Sequence, residues 1–467
     1  MSEQFELVVR GGTVVTEDGE FPATDVGVID GRVAAIGPGL GVGRREVDAT
    51  GRLVMPGGVD AHCHVAQVSS TGLLTADDFL SAGTSAAHGG TTTIVPFAAQ
   101  HRGQSLRRVV EDYAVHARRS PIDYAFHLIV SDPTEEVLAS ELPALVREGH
   151  VSFKVYMTYD ALRLDDRQVL AVLEVARREG ALTMFHAENH DAIAWITRRL
   201  LAEGKVAPKY HPMARPEPVE REATARAIFL SEVVGVPILI VHVSGKQALE
   251  EVRRGKMRGA RVYAETCPQY LVFTAADLDK PGFEGAKLMF SPPARDVASQ
   301  VALWGGLTSG TIDLFSSDHA PYRYDDPKGK KANGAGAPFT KVPNGVPSIE
   351  MRLPLLFSEG VARGRLTPSE FVRLTATNPA RIYGLHPRKG TIAPGADADL
   401  VLWDAARSVT VTQGILHDRM DYTPFEGMTV TGWPVTTILR GEVIVDKGAF
   451  TGAEGQGRFL ERTPFRW

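Results

Sequence analysis

Two histidines separated by one residue, His62 and His64, have the types and spacing that could hold a metal ion. They close the stretch Pro56-Gly57-Gly58-Val59-Asp60-Ala61-His62-Cys63-His64. Side chains alternate between the faces of an extended strand, so both imidazoles would point the same way, and Cys63 would pack on the opposite face. Paired histidines also occur on ordinary strands. The spacing is therefore a weak indication of a metal site until further ligands are found.

Further candidate ligands stand at or near the ends of later apolar segments. Each has an ordinary alternative, because a lone strand-end histidine is more often a hydrogen-bonded structural residue, and Asp318 could simply cap a turn. Lys154 is harder to explain in this way, since it interrupts the apolar run 153–157 and an unpaired buried ammonium costs on the order of several kcal/mol. We therefore predict one metal site, formed by His62, His64, Lys154, His186, His242 and Asp318.

Lys154 indicates how many ions such a site would hold. A neutral amine is favoured beside divalent cations, and it can react with carbon dioxide to give a carbamate whose two oxygens could bridge two metals. The prediction is a binuclear site, with one ion on His62 and His64 and completed by Asp318, and the other ion on His186 and His242. Imidazole and oxygen ligands suit zinc and would tolerate manganese or cobalt.

The segments around these residues show the alternation of strands and helices that is typical of an α/β barrel. Between residues 56 and 385, short apolar strands alternate with amphipathic helices, such as a helix over 165–180 with Asp165 as N-cap and Gly180 closing it. Ser244-Gly245-Lys246-Gln247 has the pattern of a capping box for another helix. Repeated β-then-α units predict a (β/α)₈ barrel, whose reactive groups would lie at the carboxyl ends of the strands.

The two ends of the chain have a different pattern. Residues 1–55 are typical of β-structure, with Asp30-Gly31 as a two-residue hairpin turn, and residues 386–467 repeat this style. We predict a small β-sandwich domain formed by both termini (1–55 and 386–467) around a 56–385 barrel. Two unrelated hairpins remain the alternative.

Composition excludes several classes of partner. A net charge of −5 and a pI near 6.3 argue against a nucleic-acid partner. The sequence also lacks a run of roughly 18 apolar residues, which a membrane-spanning helix would need. The start, Met-Ser-Glu-Gln-Phe-Glu, has no signal-peptide pattern. With only Cys63 and Cys267 as thiols, we expect free cysteines and a cytoplasmic protein.

Several motifs together carry a family resemblance. Beside the residues above they include Gly89-Gly90-Thr91-Thr92-Thr93, Glu265-Thr266-Cys267-Pro268-Gln269, Ser317-Asp318-His319 and Pro343-Asn344-Gly345-Val346. Over nearly its whole length the chain resembles the cyclic amidohydrolases of the amidohydrolase superfamily, within them the dihydropyrimidinase and D-hydantoinase group. The resemblance implies a barrel with a two-ended β-sandwich, two zinc ions, a carboxylated Lys154, a homotetramer and a small-molecule cyclic amide substrate. The reaction implied is opening of a hydantoin or dihydropyrimidine ring to an N-carbamoyl amino acid.

The resemblance also implies functions for individual residues. Tyr159 looks like the family's tyrosine that hydrogen-bonds the carbonyl oxygen of the scissile amide. Ser291 and Asn344 match positions whose backbone groups hold the substrate's other amide and carbonyl; without a metal site they would be a turn serine and part of a Pro-Asn-Gly turn. In this mechanism Asp318 takes the proton of the attacking hydroxide and delivers it to the leaving ring nitrogen.

Three surface segments carry weaker expectations. The loop 65–74, together with the segment around Tyr159, should cover the substrate's exocyclic group; the loop mixes apolar and small polar residues and has no arginine for a substrate carboxylate, which disfavours dihydroorotate. The Gly/Lys/Pro-rich loop 322–345 has the length of a mobile flap. The aromatic residues of the tail 448–467 could pack on a neighbouring subunit, although an idle terminus is an equal alternative.

Other functions remain open from the residues. Allantoinase or dihydroorotase would use the same mechanism on another ring. A mononuclear deaminase has no use for a buried carboxylated lysine. Non-catalytic assembly proteins of the same fold have lost metal ligands, whereas all six predicted ligands are present here.

Overall fold

The computed structural model describes residues 4–69 and 72–465. Ser70 and Thr71 of the loop 65–74, and Trp467 of the aromatic tail, lie outside the described residues. Within the described ranges, no helix has the length and apolar character needed to cross a membrane.

The chain begins with strands of a sheet that both termini share. These strands are β1 (Phe5–Thr16), β2 (Gly19–Ile29), β3 (Arg32–Gly37), β4 (Gly43–Asp48) and β5 (Leu53–Pro56). The turn between β2 and β3 has φ 51° at Asp30 and 69° at Gly31, as a two-residue hairpin turn requires, so the predicted hairpin is confirmed. Gly11, at φ 65°, lies inside the continuous strand β1, where the pairing with β2 shifts register.

The middle of the chain forms a barrel of parallel strands. The strands are β6 (Gly58–Cys63), β7 (Thr91–Ala99), β8 (Asp123–Tyr124), β9 (His127–Ile129), β10 (Ser152–Tyr156), β11 (Leu182–His186), β12 (Ile238–Ile240), β13 (Val262–Thr266) and β14 (Leu314–Phe315). They follow one another in the order β6-β7-β9-β10-β11-β12-β13-β14, with β8 beside β7. A parallel bridge between Cys63 and His319 joins the two ends of this order, which confirms the predicted (β/α)₈ barrel.

Helices surround the barrel. They are α1 (Phe79–His88), α2 (Leu106–Ala117), α3 (Leu142–Arg147), α4 (Asp166–Glu179), α5 (His190–Ala202), α6 (His211–Ala214), α7 (Glu217–Val234), α8 (Lys246–Met257), α9 (Pro268–Val272), α10 (Val297–Ser309), α11 (Arg352–Leu356), α12 (Pro368–Val372) and α13 (Asn378–Ile382). The prediction for α4 is confirmed: Asp165 caps its start, and Gly180 ends it at φ 74°.

The predicted capping box before α8 is wrong. Gly245 is the N-cap and has no side chain to offer the first turn. The Gln247 backbone N–H donates instead to the Glu217 carboxylate at 3.1 Å, so a long-range acidic residue takes the place of a local cap. The Ser244 hydroxyl donates to the buried carboxylate of Glu220, which also accepts the Ser244 backbone N–H at 2.9 Å.

The C-terminal strands complete the shared sheet. They are β15 (Leu400–Thr410), β16 (Thr429–Leu439), β17 (Glu442–Asp446) and β18 (Ala449–Phe450). Strand β15 pairs antiparallel with β5, so that Leu402 lies opposite Val54 and the two ends of the chain join in one sheet. The terminal β-domain is built as expected, while the boundaries at residues 56 and 385 stay a prediction.

The described part of the aromatic tail packs on its own chain. The Phe459 ring lies 5.2 Å from the His150 ring and 5.6 Å from the Phe126 ring, and the Phe465 backbone N–H donates to Gly180 at 2.8 Å. These contacts lie within one subunit and argue against an idle terminus, while packing on a neighbouring subunit stays a prediction.

Candidate metal centre

All nine predicted site residues line one cavity of about 280 Å³ at the carboxyl ends of the barrel strands. The strands position the metal-binding candidates: His62 lies in β6, Lys154 in β10 and His186 at the end of β11. The remaining residues follow strand ends or lie on loops: His64, Tyr159, His242, Ser291, Asp318 and Asn344. The structure thus brings together every residue that the sequence analysis selected.

His62, His64 and Asp318 converge on one point. The Nε2 atoms of His62 and His64 lie 3.3 Å and 3.4 Å from the Asp318 Oδ1 atom. One ligand atom from each residue lies within 4.8 Å of the others. The Asp318 backbone N–H donates to the His62 carbonyl at 2.8 Å, which fixes the carboxylate beside the imidazole. Two imidazole nitrogens and one carboxylate oxygen form a suitable donor set for zinc.

Hydrogen bonds on the far side of each ring set its orientation. His62 Nδ1 lies 2.5 Å from Glu265 Oε1, and His64 Nδ1 lies 2.7 Å from Gln67 Oε1. Glu265 Oε1 also accepts the His242 backbone N–H at 3.2 Å, so this oxygen acts as an acceptor. Both Nδ1 atoms therefore carry hydrogen, and the Nε2 lone pairs are left to face Asp318, which is the usual arrangement behind metal-binding histidines.

His186 and His242 form a second pair. His186 Nδ1 lies 2.9 Å from His242 Nε2, and His186 Nε2 lies 2.7 Å from Glu188 Oε2. Burial alone would raise the pKa of Glu188, but the Arg215 guanidinium and His186 lower it to about 2. Arg215 Nη1 donates to the same oxygen at 2.6 Å. Glu188 is thus ionised and holds the His186 N–H, leaving the two facing ring nitrogens available to a second cation.

The surroundings of Lys154 suit a bound group that is not part of the polypeptide. The residue is fully buried, and in the described part of the chain its Nζ atom has no hydrogen-bond partner, as is also true of His62 Nε2. Burial lowers the pKa of Lys154 to about 8, although Glu265 and Asp318 raise it in part. A buried amine without a partner is costly. A bound metal pair with a carbamate on this amine would satisfy both atoms.

Burial keeps the imidazoles of the candidate metal ligands neutral. It is the largest cause lowering the pKa values of His62 and His242 well below the ordinary range, and the Lys154 charge adds to the effect. A neutral imidazole has the lone pair that a metal ion requires.

Three site residues have backbone conformations that L-residues rarely adopt. The φ angles are 70° at Tyr159, 40° at His242 and 49° at Asp318. Such conformations cost on the order of 1–3 kcal/mol each and occur most often at functional sites. Because all three residues follow barrel strands, these turns direct their side chains into the cavity that they line.

The predicted substrate-binding residues face the same space. The Tyr159 ring lies 5.2 Å from the His186 ring, and the Arg215 guanidinium lies 5.3 Å over the Tyr159 ring. Burial raises the pKa of Tyr159, so its phenol keeps its proton and can donate a hydrogen bond. Ser291 Oγ lies 3.3 Å from His211 Nε2, and Asn344 lines the same cavity.

The loops around the cavity meet one expectation in part and depart from another. Of the described residues in 65–74, Gln67 and Ser69 line the cavity, and Leu162 lines it from the segment around Tyr159; further apolar lining comes from Ile193, Phe339 and Val342. The loop 322–345 is not a free flap, because Lys330 within it is fully buried and bonded to the barrel loops. Tertiary contacts, which a single loop sequence does not reveal, decide both points.

The sequence analysis assigned no function to the residues that orient the ligands. Gln67 and Glu188 follow His64 and His186 by three and two residues, so local spacing could have indicated them. Glu265 stands near the end of β13, so its position at a strand end could also have indicated a function. Arg215 lies far from Glu188 in the chain and no sequence signal points to it.

Comparison with known proteins agrees with this geometry. The model of the amidohydrolase family matches residues 53–444. The chain is 45% identical over 463 residues to the D-hydantoinase of Ralstonia pickettii, covering 99% of this chain and 100% of that protein.

The chain belongs to the amidohydrolase family.

Solved structures place it more closely within that family. A D-hydantoinase structure superposes with a TM-score of 0.95 at 45% identity, covering 99% of this chain and 100% of the other. The dihydropyrimidinase of Brevibacillus agri NCHU1002 gives 0.95 at 40% identity, covering 98% and 99%. The amidohydrolase described here therefore falls in the group of cyclic amidohydrolases that includes D-hydantoinases and dihydropyrimidinases, as the sequence motifs indicated.

Proposed function

We propose that this amidohydrolase opens a hydantoin or dihydropyrimidine ring to an N-carbamoyl amino acid at a two-zinc centre. The observation that carries the proposal is Lys154, a fully buried amine without a hydrogen-bond partner in the described chain, in the same cavity as two histidine pairs. The printed names of its relatives, D-hydantoinase and dihydropyrimidinase, support the class of ring.

The donor set divides into two halves. His62, His64 and Asp318 would hold one ion, and His186 and His242 the other. The neutral Lys154 amine would attack the carbon of carbon dioxide; an N–C bond forms, a proton leaves the nitrogen, and the resulting carbamate anion would link both halves. When bound, zinc ions lower the pKa of water and polarise a carbonyl group.

The chain's own residues would move the protons and stabilise charge. Among the described residues, Asp318 Oδ2 accepts one hydrogen bond, from the Gln269 Nε2 atom at 3.4 Å. That oxygen can therefore accept the proton of the attacking water and deliver it to the leaving ring nitrogen. The Tyr159 phenol would donate to the carbonyl oxygen of the scissile amide, where negative charge develops, an interaction that strengthens in the transition state.

The cavity favours a ring with an apolar substituent. Leu162, Ile193 and Phe339 supply apolar surface. The one arginine that lines the cavity, Arg215, is bonded to Glu188 and so is already paired. This supports hydantoins over dihydroorotate, the substrate of an alternative that the sequence left open.

A substrate panel tests the proposal. Purified protein loaded with zinc would be given hydantoin, 5-phenylhydantoin, dihydrouracil, allantoin and dihydroorotate, and carbamoyl products would be quantified. We expect the two hydantoins and dihydrouracil to be opened fastest. Preference for allantoin or dihydroorotate would favour the alternative enzymes, and hydrolysis of none would favour the non-catalytic assembly proteins.

Three further predictions accompany the function. Zinc, rather than manganese or cobalt, is expected in the site, and elemental analysis of the purified protein tests this. A homotetramer is expected from the family resemblance, and light scattering in solution tests it. A cytoplasmic location is expected from the two reduced cysteines, both of which are buried and free, and cell fractionation tests it.

A further inference from the structure

Lys330, in the loop 322–345, is a buried cation that has no acidic partner among the described residues. Its Nζ atom donates to the backbone carbonyls of Met289 at 3.0 Å, Pro343 at 2.8 Å and Gly345 at 2.7 Å. An ammonium group has three N–H donors. All of them are thus used on main-chain oxygens from two separate segments.

These three bonds are obtained at the cost of burying a charged group. Burial lowers the pKa of Lys330 to about 7, which reflects the cost of placing an ammonium away from water. An apolar side chain of similar length would fill the space without that cost. What an apolar side chain lacks is the ability to fix the direction of three carbonyl groups, so the function of Lys330 should follow from those carbonyls.

Their direction determines how Asn344 is presented. A trans peptide is planar, and its C=O and N–H groups point in opposite directions. The Pro343 carbonyl points to Lys330, so the Asn344 N–H points away from Lys330. The Gly345 N–H donates to the Met289 carbonyl at 2.8 Å, so the Asn344 carbonyl points away from Met289.

Both main-chain groups of Asn344 are left without a protein partner. No hydrogen bond of its N–H or C=O is found within residues 4–69 and 72–465, and Asn344 lines the catalytic cavity. Gly345 adds rigidity, because its φ is 141° and a Cβ atom there would lie 2.4 Å from the Ala320 oxygen. A fixed donor and a fixed acceptor therefore stand free at the edge of the cavity.

Lys330 fixes the facing segment as well. The Met289 carbonyl that it holds is two residues before Ser291, which lines the same cavity as Asn344. A single ammonium thus sets the separation between the two backbone segments that the sequence motifs associate with the substrate ring.

We propose that Lys330 is a positioning residue that aims the Asn344 N–H and C=O at the carbonyl and N–H of the substrate's second amide. The inference rests on the proposed ring-opening function. Because the second amide does not react, these contacts are made equally in the bound substrate and the transition state. Their loss should raise KM and leave kcat nearly unchanged.

Lys330→Met, compared with Lys331→Met, tests the proposal in the zinc-loaded full-length protein. Lys331 is a matched control, since it belongs to the same loop but pairs with Asp325 at 2.6 Å near the surface. For Lys330→Met we expect KM for hydantoin to rise about tenfold or more, with kcat within about threefold and unchanged zinc content. Lys331→Met should leave KM, kcat and zinc content as in the unmodified protein.

A second variant covers the case in which Lys330→Met does not fold. Lys330→Gln keeps two N–H donors on a polar side chain, and its KM should rise by a smaller factor. An unchanged KM in a folded Lys330 variant, or a fall in kcat that follows loss of zinc, would overturn the proposal. If the unmodified protein opens no ring at all, the proposed function fails instead.

Discussion

Replacing Lys154 by methionine should make the metal-free protein more stable and abolish metal binding. The amine is fully buried and lacks a hydrogen-bond partner in the described chain, so the metal-free fold bears the cost of its desolvation. Methionine fills nearly the same volume with apolar atoms. The variant therefore removes the cost together with the metal-bridging group.

The size of the effect follows from the pKa. Burial lowers the pKa of Lys154 from an ordinary 10.5 to about 8, a displacement that corresponds to about 3 kcal/mol against the folded state. Because the folded pKa lies below the unfolded one, this penalty is complete below pH 8 and disappears as pH rises through 10.5. We expect the stability difference to be about 3 kcal/mol at pH 7 and about 1 kcal/mol at pH 10.

Thermal unfolding of chelator-treated protein measures the difference. Lys154→Met should melt at a higher temperature than the unmodified protein at pH 7, and the gap should narrow at pH 10. Lys209→Met is the matched control, because Lys209 is exposed and its ion pair with Asp279 at 3.0 Å is screened by solvent and adds little to stability. Adding zinc and bicarbonate should then stabilise the unmodified protein and leave Lys154→Met unaffected.

Two results would refute this reasoning. A metal-free Lys154→Met variant that melts below the unmodified protein would show that the amine has a stabilising partner. A variant that binds zinc as tightly as the unmodified protein would show that Lys154 does not link the two histidine pairs.

Three further substitutions separate metal binding, chemistry and substrate contact. Glu265→Gln should weaken zinc binding by about 10- to 100-fold, because it removes the carboxylate 2.5 Å from a metal-binding imidazole; a chelator titration that shows no change would contradict its orienting function. Tyr159→Phe should lower kcat for hydantoin by about 100-fold with zinc content unchanged, and an unaltered kcat in steady-state kinetics would exclude the phenol from the reaction. Gly345→Ala should destabilise the fold by about 1–3 kcal/mol and raise KM, since its φ of 141° and the Ala320 oxygen leave no room for a Cβ atom. Gly336→Ala, with nothing within 4 Å of a Cβ, is its control in thermal unfolding and kinetics.

The fold could be predicted because its signals are local. Alternating strands and helices over 56–385 indicated the barrel, and Asp165 and Gly180 marked the limits of α4. The strand lengths were less accessible: the mostly apolar segment 124–130 contains the end of β8 and all of β9 rather than one continuous strand. Short strands of this kind end where long-range pairing ends, which a single segment does not encode.

The grouping of the candidate site residues could be predicted because residue type is unusual there. A lysine inside an apolar run and histidines at strand ends are poor core residues, and the structure gathers them in one cavity. The supporting contacts were hidden by sequence distance, as with Arg215 and Glu188 or Ser244 and Glu220. Lys330 was hidden in another way, because its Gly/Lys-rich surroundings are typical of an exposed loop.

Stepwise addition of zinc to the metal-free protein, with bicarbonate present and hydantoin hydrolysis followed at each step, tests the two-metal site most directly. A two-metal site predicts no hydrolysis without zinc and a rate that increases until two ions are bound per chain. Full activity in the absence of metal, or a rate that saturates at one ion per chain, would contradict it.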